Sequence, residues 1–179
     1  MPYALEVYAD GACRRNGQHN AAAGAGVYFP RPLNRSHGFS RALPSHPTPT
    51  NQRAELSALI LALELAIDRR NQLKNRPFFA LTIHIDSQYA IDCLTKWLGT
   101  WERNGWRTFS GAPVQNRDLI QQAASLMDEI ANNHGNVTFQ WISRDKNINA
   151  DYAANQACDE AELTLNQHQQ RSGSYHSYY

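Results

Sequence analysis

The sequence predicts an α/β domain whose core is a five-stranded mixed sheet flanked by helices. Two observations indicate this fold class. Three short segments rich in β-forming residues precede residue 44 with short connections between them, as in an antiparallel meander. Beyond residue 50 the patterns follow the order helix–strand–helix–helix–strand–helix, which adds two strands parallel to the first. A length of 179 residues suits one such domain.

The meander contains the first three predicted strands. They span residues 3–9, 23–30 and 36–43. The pair Asp10-Gly11 is typical of turns and ends the first strand. Glycines weaken the pattern of the second strand, and the short connections place the third. The proline-rich segment 44–50 follows as a rigid loop.

The clearest helix of the chain is predicted over residues 51–70. Its apolar residues recur at helical spacing and form a stripe along one face, and Thr50 is placed to act as its N-cap. The stripe consists of Leu56, Leu59, Ile60, Leu63 and Ile67. This face is expected to pack on the sheet.

Strands and helices alternate in the second half of the chain. The predicted strands are 81–85 and 136–143, and the predicted helices are 88–97, 114–132 and 148–165. Residues 97–111 contain three tryptophans and a phenylalanine without a regular pattern, and are called the aromatic segment below. The polar tail 166–179 has no helical stripe and is predicted to be disordered, so the domain covers residues 1–165.

Composition excludes several classes of protein. Hydrophobic residues make up 42% and charged residues 18%, which excludes a wholly disordered chain. No apolar run approaches the ~20 residues of a membrane span, and the N-terminus lacks the basic-then-apolar pattern of a signal peptide. Three cysteines without close spacing indicate neither a disulfide framework nor a zinc site. We therefore expect a soluble, intracellular domain.

The net charge of +1 conceals an asymmetry between the two parts of the chain. Residues 1–117 carry 14 Lys and Arg against 8 Asp and Glu, for +6, whereas residues 118–179 carry 3 against 8, for −5. A basic region can bind a polyanion, but blocks of charge are more often solvated surfaces. Charge alone does not decide whether the ligand is a nucleic acid.

Four acidic residues are expected at one edge of the sheet. Asp10 and Asp86 follow the first and fourth strands, and adjacent parallel strands would hold their Cα atoms about 5 Å apart. Glu55 lies about one turn into the long helix beside its apolar stripe, and Asp151 lies in the first turn of the last helix. Neighbouring carboxylates repel unless cations neutralise them, so the set suggests a site for hard divalent cations and phosphate substrates.

Each of these residues also has an ordinary structural explanation. Asp10 could belong to a turn, and Asp86 could cap a helix. Glu55 could pair with Arg53 or face solvent, and Asp151 could interact with a helix dipole. The residues by themselves leave both explanations open.

Five motifs resemble those of a known nuclease family. In chain order they are YADGACRRNG (8–17), TNQRAEL (50–56), HIDSQYAI (84–91), KWLGTWERNGWRTFSG (96–111) and NADYAAN (149–155). The chain resembles type 1 ribonuclease H over residues 3–163, and is closest to the catalytic domain of the eukaryotic enzymes. The resemblance implies the ribonuclease H-like fold and an endonuclease that cuts the RNA strand of RNA–DNA hybrids, leaving 5′-phosphate and 3′-hydroxyl ends.

The resemblance also implies the catalytic residues. Asp10, Glu55, Asp86 and Asp151 match the four carboxylates that bind metal in the family. Two Mg²⁺ ions about 4 Å apart, with Mn²⁺ as a possible substitute, are expected to flank the scissile phosphate. No covalent intermediate is implied.

Further positions match residues that bind the two strands of the hybrid. Those that match contacts to the RNA strand are Asn16, Asn51 and Gln52. Those that match contacts to the DNA strand are Thr50 and Asn116 at a phosphate, and Tyr89, Trp97 and Trp101 at the deoxyribose. Core packing is the alternative role for the two tryptophans, and Trp106 is expected to be structural.

The chain departs from the commoner family pattern at the loop before Asp151. The stretch ISRDKNINAD (142–151) has no histidine and resembles the subgroup with a short R-x-x-N-x-x-A-D loop. The commoner family pattern has a flexible loop with a histidine there, which assists turnover. His134 is expected at the opposite edge of the sheet, so it is a poor substitute for that histidine. Arg144, His168 and His176 are weak candidates for the same role.

A second departure concerns the basic protrusion of the family. Residues 94–117 carry Lys96, Arg103, Arg107 and Arg117 against Glu102, for a charge of only +3. An arginine that is common in the phosphate pocket of the family is replaced by Thr48. We expect modest hybrid affinity with a shallow dependence on salt.

Other functions compatible with these residues are a non-catalytic module that binds RNA–DNA hybrids and a ribonuclease H domain of retroelement origin. A phosphatase with an aspartate nucleophile is disfavoured because Asp10 lacks the D-x-D spacing of that chemistry. The expected partner is the hybrid itself. We predict a monomer with no membrane association and no obligatory protein partner.

Overall fold

The strands of the described residues form one five-stranded sheet, with helices packed on both of its faces. The computed structural model describes residues 1–33 and 36–174. The strands are β1 (Tyr3–Arg14), β2 (Ala22–Leu33), β3 (Ser36–Ala42), β4 (Phe79–Ile85) and β5 (Gly135–Trp141). The helices are α1 (Asn51–Asn71), α2 (Gln88–Asp92), α3 (Leu98–Arg103), α4 (Arg117–Asn132) and α5 (Ile148–Ser174), with a π-helical turn (Cys93–Trp97) and a 3-10 turn (Arg144–Lys146).

The strand order is β3-β2-β1-β4-β5, which confirms the predicted architecture. The first three strands pair antiparallel, whereas β4 is parallel to β1 and β5 is parallel to β4. The carboxyl ends of the three parallel strands therefore meet at one edge of the sheet, where loops and helix starts follow them.

Helix α1 packs on one face of the sheet as its sequence predicts. Every residue of the predicted apolar stripe is buried. Thr50 is the N-cap, and its hydroxyl accepts a hydrogen bond from the backbone nitrogen of Arg53 at 3.1 Å. The side chain thus satisfies one of the amide groups that a helix start leaves without a partner.

The glycines that weaken the pattern of β2 allow α5 to lie directly on the opposite face of the sheet. A Cβ atom on Gly26 would lie 2.2 Å from the backbone nitrogen of Ala154, and one on Gly24 would lie 2.5 Å from the backbone nitrogen of Cys158. No side chain fits between the two backbones at either position. These glycines are packing residues of a genuine strand.

The three largest differences between the predicted and the observed boundaries concern β1, α3 and α5. Strand β1 continues past Asp10 to Arg14, because β2 still pairs with it there. A helical run extends through Arg103, so α3 occupies the first part of the aromatic segment. Helix α5 ends at Ser174 rather than at residue 165, and residues 175–179 lie outside the described residues. Disorder of the tail stays a prediction.

None of the helices in the described part of the chain combines the length and the hydropathy that crossing a membrane requires.

Candidate active site

Three carboxylates meet at the edge of the sheet where β1 and β4 separate. Tyr8 is the last residue of β1 that is paired with β4, opposite His84. Two residues further on, Asp10 in β1 and Asp86 directly after β4 lie at the same level. One carboxylate oxygen each of Asp10, Asp86 and Glu55 lies within 4.8 Å of the other two.

Glu55 reaches this edge because α1 begins in direct contact with β1. A Cβ atom on Gly11 would lie 2.3 Å from the backbone nitrogen of Glu55 and 2.3 Å from the carbonyl carbon of Ala54. Only glycine allows this approach. The Asp-Gly pair therefore brings the helix against the strand instead of forming the predicted turn.

Each of the three carboxyl groups has a buried oxygen without a hydrogen-bond donor among the described residues. These atoms are Asp10 Oδ2, Glu55 Oε2 and Asp86 Oδ1. Asp10 is only 2% exposed, and its other oxygen accepts a hydrogen bond from the backbone nitrogen of Gly11 at 2.9 Å. Buried acceptors without a donor are unfavourable in a folded protein and indicate that another ligand belongs there.

The pKa values of Asp10 and Glu55 indicate the same electrostatic strain. Burial, followed by the charges of Asp86 and Asp151, raises the pKa of Asp10 to about 7. Burial, followed by the charges of Asp10 and Asp86, raises the pKa of Glu55 to about 9. A divalent cation would offset the cost of burying these charges and the repulsion between them, since hard cations prefer carboxylate oxygens. The residues present therefore fit a divalent metal ion.

Asp151 lies beside this cluster in the first turn of α5, and it is not one of the three mutually close ligands. Its Oδ1 atom is 3.5 Å from Nη2 of Arg144. The hydrogen bond with Asp151 and the charge of Asp10 raise the pKa of the Arg144 guanidinium. Arg144 also lines, with Glu55 and Asp86, a cleft of about 350 Å³ above the carboxylates.

Two residues that the sequence analysis did not single out hold the backbone at this edge. Asn147 is 1% exposed, and its Nδ2 atom donates to the carbonyl of Ala9 at 2.8 Å. Its own carbonyl accepts from the backbone nitrogen of Asp151 at 3.0 Å, so Asn147 connects β1 to the start of α5. The indole nitrogen of Trp141 donates to the carbonyl of Asp86 at 3.0 Å.

The ordinary explanation for Glu55 as a partner of Arg53 is wrong. Arg53 makes a two-pronged ion pair with Asp118, with nitrogen–oxygen distances of 3.0 and 2.6 Å. His134 precedes β5, at the end of that strand away from the carboxylates, and its ring stands edge-on to Phe78 with 5.2 Å between the centroids. The expected position of His134 is confirmed.

The residues matched to the RNA strand surround the first turn of α1. The side-chain oxygen of Asn16 accepts from the backbone nitrogen of Asn51 at 3.0 Å. The side chains of Asn51 and Gln52 are exposed. This small polar surface lies next to Glu55 in the chain.

The residues matched to a DNA phosphate form a network on the other side of the same turn. Nδ2 of Asn116 donates to the hydroxyl of Tyr89 at 3.1 Å, and Oδ1 of Asn116 accepts from Nη1 of Arg53 at 3.4 Å. Asn116 has a φ angle of 56°, in the left-handed region. Arg53, which the sequence analysis assigned no role here, connects Asn116 to the capped start of α1 at Thr50.

Comparison with known proteins identifies the family. The RNase H family model matches residues 2–163 of the chain.

The chain belongs to the ribonuclease H family.

Three known proteins illustrate the relationship. Ribonuclease H of Schizosaccharomyces pombe is 38% identical over 151 residues, which is 84% of this chain and 49% of that protein, so the chain spans about half the length of this relative. Ribonuclease H of Halorhodospira halophila is 38% identical over 161 residues, which is 87% of this chain and 93% of that protein. The crystal structure of LC11-RNase H1 in complex with RNA/DNA hybrid is 25% identical with a TM-score of 0.55, and the match covers 88% of this chain and 98% of that one.

The aromatic residues of this chain form a continuous row beside the network around Asn116. Ring centroids are 6.2 Å apart between Tyr89 and Trp97, 5.5 Å between Trp97 and Trp101, and 6.3 Å between Trp101 and Trp106. Trp106 is 8% exposed and belongs to the core, as expected, whereas Trp97 is 39% exposed. The row thus runs from the core to the surface.

Proposed function

We propose that this chain is an endonuclease that hydrolyses the RNA strand of RNA–DNA hybrids with two Mg²⁺ ions, leaving 5′-phosphate and 3′-hydroxyl ends. The observation that carries the proposal is the cluster of Asp10, Glu55 and Asp86, whose buried oxygens have no donor among the described residues. The cluster occurs in a chain of the ribonuclease H family, and a similar structure was solved with an RNA/DNA hybrid.

In this proposal the four carboxylates have two roles in binding the ions. Asp10, Glu55 and Asp86 would bind the ions, and Asp151 would add negative charge from α5. When bound, the ions supply an activated water and stabilise the departing 3′ oxygen. Arg144, at 3.5 Å from Asp151, faces the same cleft and contributes positive charge where a phosphate would enter.

The first turn of α1 separates the two strands of the hybrid in this proposal. Asn16, Asn51 and Gln52 are placed to read the RNA strand through its 2′-hydroxyls, which DNA lacks. Thr50 and Asn116 hold a DNA phosphate, and Tyr89, Trp97 and Trp101 contact deoxyribose. Because Glu55 lies one turn further along the same helix, binding of the hybrid at these residues would align the RNA strand with the proposed metal ligands.

A non-catalytic module that binds hybrids is disfavoured by the same cluster. Clustered negative charge repels phosphate. The raised pKa values of Asp10 and Glu55 indicate that ionising these groups also destabilises the folded state. A protein that only binds would gain affinity and stability by losing these groups. Their retention favours catalysis.

The decisive experiment is a cleavage assay with the purified chain. A hybrid with labelled RNA is incubated with Mg²⁺, Mn²⁺ or EDTA, beside a DNA duplex and an RNA duplex of the same sequence. Cleavage of the RNA strand of the hybrid alone, with either metal and not with EDTA, supports the proposal. Metal-dependent binding of the hybrid without cleavage would refute the proposed nuclease and favour the non-catalytic binding module.

A further inference from the structure

A tightly hydrogen-bonded loop at residues 104–113 projects from the aromatic segment. The side chain of Asn104 accepts from the backbone nitrogen of Arg107 at 3.1 Å and donates to its carbonyl at 2.8 Å. The backbone nitrogen of Thr108 donates to Ala112 at 2.8 Å, and that of Gly111 donates to Thr108 at 2.9 Å. Few backbone groups of this loop remain free to rearrange, so its shape is fixed.

The tip of this loop displays a phenylalanine with no packing of its own. Phe109 has a relative exposure of 110%, whereas Trp106 three positions earlier is buried. Holding a large apolar side chain in water gains nothing for the fold. Phe109 also lines, with Trp97 and Trp101, a groove of about 420 Å³ on the surface.

Three of the cations around this groove make contacts within the chain. Lys96 pairs with Asp92 at 2.8 Å, and the guanidinium of Arg117 lies 5.0 Å from the ring centroid of Trp106. Nη1 of Arg107 donates to the carbonyl of Gly111 at 2.9 Å. Arg103, on the same surface, is exposed and takes part in none of these contacts, so the groove beside Trp97 combines exposed aromatic area with few cations.

We propose that Phe109 is an apolar anchor for the DNA strand of the hybrid, which extends the row of Trp97 and Trp101 beyond the tryptophans. This inference rests on the proposed function, because it assigns a substrate contact to it. Deoxyribose presents an apolar C2′ edge, whereas the 2′-hydroxyl of ribose would lose its water against these rings. Aromatic stacking on sugars and bases binds a strand without reading its sequence.

The apolar character of this anchor predicts how binding responds to salt. A contact with a phosphate releases counterions, so losing one flattens the plot of log Kd against log salt concentration, whereas losing a stacking contact shifts that plot without changing its slope. Phe109→Ala should therefore raise the Kd of the hybrid by about tenfold at every salt concentration. Arg103→Ala removes an exposed cation of the same surface and should instead reduce the slope by about one ion.

The test measures hybrid binding by fluorescence anisotropy with Mg²⁺, in an Asp10→Asn background that keeps the substrate intact. Variants are Phe109→Ala, Phe109→Tyr and, as a matched neighbour in the same loop, Ser110→Ala. We expect Phe109→Tyr and Ser110→Ala to bind within about twofold of the parent. The melting temperature of Phe109→Ala should equal that of the parent, because Phe109 packs on nothing within the fold.

Several results would overturn the anchor. These are an unchanged Kd for Phe109→Ala, a changed salt slope for it, a lowered melting temperature, or an equal loss of affinity for an RNA duplex. None of them depends on whether the unmodified chain cuts the hybrid, so a failure of the anchor and a failure of the proposed nuclease activity are distinguishable.

Discussion

The carboxylate edge and the aromatic segment are built on opposite principles. At the edge, Asp10, Glu55 and Asp86 each bury an oxygen that no donor among the described residues satisfies. In the aromatic segment, the loop around Phe109 is closely hydrogen-bonded, and only apolar side-chain area is left over. The carboxylate edge therefore leaves charged groups without partners among the described residues, whereas the loop leaves an apolar side chain in contact with solvent.

The difference predicts how each region affects stability. Removing a carboxylate from the edge relieves repulsion and desolvation, so it should stabilise the metal-free fold while abolishing activity. Removing an exposed aromatic ring should change neither the fold nor the chemical step, and should weaken only binding. The two regions can therefore be separated experimentally by measuring activity and stability together.

The largest expected effect is the loss of cleavage in Asp10→Asn. The substitution removes a charge from the centre of the ligand set, and we expect the rate to fall at least about 10³-fold, which corresponds to ~4 kcal/mol in the barrier. The melting temperature in EDTA should rise. Asp145→Asn is the matched control, because Asp145 is exposed on the neighbouring turn. A near-normal rate for Asp10→Asn would refute the site.

The next effect is on the pH dependence of stability. The pKa values of Asp10, about 7, and Glu55, about 9, lie above the values of the unfolded chain, 3.8 and 4.5. The folded state therefore binds more protons, and the free energy of unfolding falls as pH rises from about 4 to about 9. One pKa unit corresponds to about 1.4 kcal/mol.

Comparing the unmodified chain with Asp10→Asn isolates this contribution from other titrating groups. Burial lowers the pKa of His84, for example, which by itself makes stability rise with pH. Melting temperatures in EDTA should differ little at pH 4 and increasingly in favour of Asp10→Asn up to pH 8. A constant difference would mean that Asp10 is ionised normally in the folded chain.

A third prediction concerns the amide that joins β1 to α5. Asn147→Ala removes a buried hydrogen bond to Ala9 and should lower the free energy of unfolding by about 1–3 kcal/mol. We also expect reduced cleavage, because Asp151 is held by the same residue. Asn149→Ala is the control, since Asn149 is exposed. Equal melting temperatures for both variants, measured by calorimetry, would show that this bond is dispensable.

A smaller effect is expected in the row of aromatic rings. Trp97→Ala should raise the KM for the hybrid about tenfold and leave kcat nearly unchanged. The ring is 39% exposed and is proposed to contact the sugar, not the metal ions. Steady-state kinetics separates the two parameters. If the variant loses stability in thermal melting instead, core packing is the role of Trp97, and the contrast between the two regions fails there.

The smallest effect is expected from the histidines. The loop 142–150 has none, and His134 lies at the far edge of the sheet. Replacing His134, His168 and His176 together by Ala should leave the cleavage rate within about threefold, under ~1 kcal/mol. The pH profile of the unmodified chain should show no inflection near 6.5, the ordinary pKa of histidine. A hundredfold loss of rate would assign proton transfer to one of them.

Sequence patterns predicted those parts of the molecule that depend on local chemistry. The cap at Thr50 and the apolar stripe of α1 follow from spacing within one helix. The convergence of Asp10 and Asp86 follows from the rule that parallel strands end at the same edge. The roles of the substrate-contact residues came from the resemblance, and they remain proposals.

Other features depend on contacts between distant parts of the chain. The hydrogen bond from Asn147 reaches a residue 138 positions away, and the purpose of Gly26 is visible only once α5 lies above it. The continuation of β1 past Asp10 depends on β2, which overrides the local tendency of Asp-Gly to turn. Intracellular location and a monomeric state stay predictions.

The close approach at Gly11 has a consequence for how this protein can change. The start of α1 carries Asn51, Gln52 and, one turn further on, Glu55, so any displacement of the helix moves the proposed metal ligand and the proposed strand-contacting residues together. A mutation that moves α1 to change hybrid binding would therefore also impair catalysis. The loop around Phe109 has no such linkage, and accepted mutations in a laboratory evolution towards new substrates should accumulate in residues 104–113.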